Sequence, residues 1–162
     1  ENKMRYLIYI ISISLLCCND MSKRKQAEVL KGIEIGIESI EFNDDKTLDI
    51  AIYMYNTIEV AGFQADLMPK GSFTIESVSG GIGEELGFMM SGGKNTFLGF
   101  SIKGDLIPVS KTSYLSDNII CHIKAKSNTK LTFPMEVSLN PIIAGQRGVK
   151  LESNTRSYIW EK

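Results

Sequence analysis

The sequence predicts an all-β chain that closes as a sandwich or a barrel, and three observations carry that prediction. From residue 31 onward apolar and polar residues alternate with a period of two, the repeat of an extended strand whose successive side chains face opposite sides. Clusters of Gly, Pro, Asn and Asp punctuate the alternation about every 8–15 residues, the spacing of short strands joined by turns. No stretch shows the 3.6-residue period of a strong amphipathic helix. With 162 residues the natural count is one domain, large enough to bury a core without a metal or disulfide staple.

The elements follow in order. Ile33, Ile35 and Ile37 alternate with Glu34, Gly36 and Glu38, making KGIEIGIESI (31–40) the first strand. FNDDKT (42–47) is a turn, rich in side chains that bond their own backbone. In LDIAIYMY (48–55), Leu48, Ile50, Ile52 and Met54 share one face, and Asp49, Ala51, Tyr53 and Tyr55 the other, so the two runs read as a hairpin.

NTIEVAGFQADL (56–67) raises a choice between a ligand loop and the bend into a third strand. The alternation after Gly62 favours the strand, with Phe63, Ala65 and Leu67 inward and a glycine that permits a bulge or a close approach. MPKG (68–71) turns the chain into FTIESVS (73–79). GGIGEELGFMMSGGK (80–94) is a glycine-rich excursion with room for a helical turn at Glu84-Glu85-Leu86. NTFLGFSIKG (95–104) follows, with Leu98, Phe100 and Ile102 on one side, then a loop around Pro108. NIICHIKAK (118–126), LTFPMEVSLNPII (131–143) and the broken run 149–161 complete about eight or nine strands.

The start of the chain differs in kind. Lys3 and Arg5 precede YLIYIISISLL (6–16) and Cys17-Cys18, a positive region and a short apolar region of secretory-signal design. The run is too short to span a bilayer, which needs about 20 apolar residues. Residues 1–18 are therefore expected as a signal peptide or membrane anchor, 19–30 as a linker or short helix, and 31–162 as the folded domain. Export or tethering at a cell surface follows, whereas a start at Met21 would leave the protein intracellular. Lys23-Arg24-Lys25 reads as a solvated linker or as a membrane-surface contact beside the anchor.

Composition and motifs exclude several classes of chemistry. With 18 Lys+Arg against 19 Asp+Glu, no net field exists to steer nucleic acid. His122 is the only histidine and no G-x-S-x-G elbow occurs, so a nucleophilic triad has no support and no enzyme is expected. Cys121 is left alone once Cys17 and Cys18 are assigned to the leader, and it reads as a small buried apolar residue. The glycines of GGIGEELG do not match a dinucleotide fingerprint, and FNDDKTLD lacks calcium-loop spacing. Neither a metal site nor a cofactor is expected.

A familiar order of motifs then emerges. IAIYMYN (50–56), VAGFQADL (60–67), SGG (79–81), GF (87–88), FLGFSIKGDLIP (97–108) and IICHIKA (119–125) together resemble the strands of cohesin-like domains, across about residues 33–160. The resemblance implies an antiparallel β-sandwich of jelly-roll type that binds without catalysis. Its partner would be a dockerin-like protein or another surface protein. The chain departs from the family at Ala65, where an aromatic is usual, and in a longer, more polar loop at 108–117.

Aromatics suggest an alternative partner, a polysaccharide. Tyr53 and Tyr55 lie opposite the Ile50/Ile52 side, Tyr114 sits in the long loop, and Tyr158 and Trp160 share a parity. Rings two residues apart on an open sheet can stack sugars or anchor a protein hot spot. Tyr53, Tyr55, Tyr114 and Trp160 are thus the candidate contact residues.

Overall fold

The computed structural model describes residues 24–43 and 47–161; the expected leader, the start of the linker and the centre of the 42–47 turn lie outside them. Among the described residues eleven strands follow in chain order: β1 (Ile33–Phe42), β2 (Leu48–Asn56), β3 (Gly62–Met68), β4 (Phe73–Ser79), β5 (Met89–Gly93), β6 (Thr96–Phe100), β7 (Ile119–Ser127), β8 (Met135–Ala144), β9 (Lys150–Leu151), β10 (Asn154–Arg156) and β11 (Tyr158–Trp160). Among the described residues one short α-helix, α1 (Gly81–Glu85), joins β4 to β5, and two 3-10 turns lie at Leu115–Asp117 and Gln146–Gly148.

These strands make two sheets, β10-β1-β2-β7-β4 and β11-β8-β3-β6-β5, with β9 added beside β8. Every described pairing is antiparallel except that of β1 with β10. The protein is therefore an all-β sandwich, as the alternation predicted. The count is higher than nine because the final run splits into three short strands and MMSGG, expected as part of the glycine excursion, forms β5.

One apolar core lies between the sheets. Ile33, Ile35, Ile37, Ile50, Ile52, Phe63, Leu67, Phe73, Phe97, Ile123 and Val137 all belong to it. A bulge at Glu38 shifts the register of β1 against β2 and lets Ile40 rejoin the inward set. Pro141 lies inside β8, where one side pairs with β3 and the far side is free between the segments held by β11 and β9. Ile120 is skipped at a register shift between β2 and β7 and is buried beside Cys121, while α1 packs on β7 with Gly81 and Gly83 against the Ile120 backbone.

The NTIEVAGFQADL stretch is a bend into a strand. Gly62 opens β3, and a Cβ there would stand 3.2 Å from the Gly99 carbonyl oxygen. Phe63, Ala65 and Leu67 are buried, while Gln64 is exposed.

Candidate docking face

Register places the outward residues of the six-stranded sheet in rows. Gly62 on β3 sits between Phe100 on β6 and Ala144 on β8, and Phe100 in turn pairs with Met89 on β5. Two residues along β3, Gln64 sits between Leu98 and Ile142. Two further on, Asp66 sits between Thr96 and Asn140. Strands lie about 4.8 Å apart, so Phe100 and Ile142, two strands apart and one row offset, flank β3 diagonally.

The first row is apolar and open, and the second sets Leu98 and Ile142 on either side of an exposed Gln64. Met89 is 53% exposed, Phe100 44% and Ile142 55%, with Leu98 and Ala144 half-buried beside them. A shallow groove of about 290 Å³ runs over Gly62 and Gly99 between Phe100 and Ile142. The third row is polar. Thr96 Oγ1 donates to Asp66 Oδ1 at 2.6 Å, and Lys70 Nζ lies 3.2 Å from Asp66 Oδ2. Those two partners, the Thr96 hydroxyl first, hold the Asp66 carboxyl below the usual carboxylate range.

The five-stranded sheet presents no such face at its β1–β2 side, because a third layer covers it. Residues 24–29, expected as linker or short helix, run alongside the loop at 113–117. Gln26 bridges Tyr114, Ala27 N donates to Ser113 O at 2.8 Å, and Leu115 N donates to Lys25 O at 3.0 Å. Arg24 pairs with Asp117 and lies 4.3 Å over the Tyr114 ring. Lys25 Nζ donates to Glu38 O at 2.6 Å. Arg24 and Lys25 are therefore docked on the domain.

This cover corrects the aromatic expectation. Tyr53 does stand on the outer side of β2, yet it is 1% exposed and donates a 2.7 Å hydrogen bond to Glu34 Oε1. Burial, then the Glu34 carboxylate, pushes its hydroxyl above the ordinary phenol range. Tyr55 and Tyr114 are half-buried. Trp160 is 4% exposed, packed 5.3 Å from the Phe42 ring and 5.1 Å from Phe133. Trp160 belongs to the core of the other sheet, so the four rings form no common platform.

Strand parity contained part of the signal for the open strip. Leu98 and Phe100 do share a side, but Phe97 on the opposite parity competes for the core, and it is Phe97 that is fully buried. Only the glycine at 99, under the Phe63 ring, leaves the Phe97 side able to close on the other sheet.

The loops at 80–94 and 105–117 meet around a second feature, a cleft of about 370 Å³ between α1 and residues 108–112. Ile82, Leu86, Pro108 and Val109 line it, while its Asn56 and Asn118 amides are occupied by backbone carbonyls. His122 Nδ1 lies 2.9 Å from Asp49 Oδ1 on the outer side of the five-stranded sheet. Among the described residues no three His, Cys, Asp or Glu side chains group as metal ligands. No described helix is long and apolar enough to cross a membrane.

No protein-family model and no curated protein sequence matches the chain. Solved structures do. The third ScaB cohesin of R. flavefaciens, in complex with a group 1 dockerin, superposes with a TM-score of 0.52 at 8% identity, over 79% of this chain and 93% of that one. The sixth cohesin of scaffoldin B from Acetivibrio cellulolyticus, in complex with a mutant Cel5 dockerin, gives 0.46 at 9% identity, over 78% and 94%. A chain of the CaDoc0917–CaCohA2 complex gives 0.45 at 12% identity, over 77% and 95%. The fold is cohesin-like.

Proposed function

We propose that this domain is a non-catalytic binding module, exported or tethered at a surface, that docks a protein partner on the outer face of β8-β3-β6-β5. The observation that carries the reading is the exposed group of Met89, Phe100 and Ile142, set on β5, β6 and β8 around the groove over Gly62 and Gly99. Exposed apolar side chains grouped over a shallow groove and bordered by a polar row are the build of a protein contact rather than of a free surface. Cohesins of the same fold carry a dockerin in their complexes, which supports a dockerin-type partner. Export rests on the leader-like design of residues 1–18.

Ile142→Asp and Phe100→Asp test the reading. Both side chains are about half exposed, so the fold should hold while a dockerin-type partner, found by calorimetry against a panel of such modules, loses affinity by about 30-fold or more. Retained binding in both variants would remove the strip from consideration. Binding to polysaccharide instead, lost in Phe100→Asp, would turn the reading toward a carbohydrate-binding module.

A further inference from the structure

The layer over the five-stranded sheet has an unusual construction. Its strap, residues 24–29, makes no ladder with β1. It is held by side chains that reach up from the sheet and by Lys25 Nζ, which reaches down to Glu38 O of β1. Glu34 Oε2 accepts from Glu28 N at 2.7 Å and from Val29 N at 3.1 Å. Arg156 of β10 donates to Glu28 Oε1 at 2.7 Å and to Gln26 O at 3.3 Å. Among the described residues, the strap's backbone-to-backbone hydrogen bonds run to Ser113 and Leu115, which belong to neither sheet.

Glu34 is 2% exposed, on the outer side of β1, where a carboxylate gains nothing from the apolar core. A buried carboxylate is costly unless its acceptor sites are filled. Here the strap amides fill one oxygen and Tyr53 fills the other. Lifting the strap would return Glu34 to water, which compensates the bonds it loses, and would break no hydrogen bond of either sheet. The strap and the sandwich are thus joined by a local balance of interactions rather than by the cooperative core.

We propose that residues 24–29 form a latch, closed on Glu34 and Arg156, whose opening is an event separate from unfolding of the sandwich. When closed, it holds residues 24–29 on the side of the sandwich opposite the Phe100–Ile142 strip. The latch stands whether or not the strip binds a partner.

Native-state hydrogen exchange on the full chain tests this residue by residue. The amides of Ala27, Glu28, Val29 and Leu115 should exchange as a group, at least about tenfold faster than Ile35 and Ile52 and at least about tenfold slower than an unprotected peptide. Glu34→Ala should speed the group by about tenfold or more and leave Ile52 unchanged. Because Glu34→Ala could also disturb β1, Ala27→Pro provides a second arm. It deletes the strap's donor to Ser113 without touching a sheet residue, and should speed Glu28, Val29 and Leu115 likewise. Exchange of the group in step with Ile52, exchange at the unprotected rate in the unaltered protein, or no response to either substitution would each overturn the latch.

Discussion

Tyr53 lies flat across Gly36, its Cα partner on β1, and reaches past it to bond Glu34. A Cβ on Gly36 would stand 2.8 Å from Tyr53 Oη and 2.9 Å from Cε1. The tyrosine ring occupies the volume that any larger residue at position 36 would need. One glycine therefore sets the depth of the tyrosine, and the tyrosine orients the carboxylate that holds the strap.

Gly36→Ala should accordingly destabilise the domain by about 1–3 kcal/mol, the cost of forcing extra volume into a filled site. The same change in a Tyr53→Ala background should cost much less, since the ring that opposes it is gone. Urea unfolding of the four proteins measures the coupling. Equal costs in the two backgrounds would show that the ring is not the obstacle.

The Tyr53 site shows what two-residue alternation can and cannot say. Parity correctly put Tyr53 on the side of β2 opposite Ile50 and Ile52. Parity carries no information about what lies on top, and the cover comes from residues 24–29 and 113–117, distant in sequence and without alternation of their own. The same limit explains Trp160, whose neighbours Phe42 and Phe133 come from other parts of the chain. Core strands were legible because β2 and β3, and β1 as far as its bulge, concentrate Ile, Leu and Phe on one parity. The open strip was half legible: Leu98 and Phe100 shared a side, but with Phe97 on the other, alternation alone does not choose the inner one.

Acid should loosen the polar end of the docking face. The Asp66 carboxyl is held below its ordinary value of 3.8 in the folded protein, first by Thr96 and then by Lys70. A depressed folded value means the contribution is present above the unfolded carboxylate range and lost as pH falls through the folded one. Thr96→Val removes the larger cause and should raise the Asp66 midpoint toward the ordinary range. NMR titration of the Asp66 carboxyl carbon reads it directly, and an unmoved midpoint would place the cause elsewhere.

Cys121 should behave as a reporter of global opening. It is fully buried opposite Ile52, and burial pushes its thiol well above the ordinary range, so reactive thiolate is withheld in the folded state. With Cys17 and Cys18 replaced by serine, labelling by a disulfide reagent at pH 8 should be slow and should follow the unfolding equilibrium as urea is raised. Rapid labelling in native buffer would mean that β7 opens on its own.

The departure at Ala65 predicts a size exchange across the core. Ala65 on β3 and Phe97 on β6 are Cα partners, both buried and both facing the opposite sheet. A small residue at 65 leaves room for the ring at 97, which also lies 6.4 Å from the Phe63 ring. Directly opposed side chains on adjacent strands stand about 5 Å apart at Cβ, close enough to trade volume. Phe97→Ala alone should cost about 3–5 kcal/mol through the cavity it leaves, and Ala65→Phe alone should cost about 1–3 kcal/mol through overpacking. Combined, the two changes conserve volume, so the double variant should be more stable than the sum of single costs allows, by about 1 kcal/mol or more. Calorimetric unfolding of all four proteins decides the matter. Strict additivity would mean that the two sites do not share one space, and the link between the small residue at 65 and the buried ring at 97 would fail.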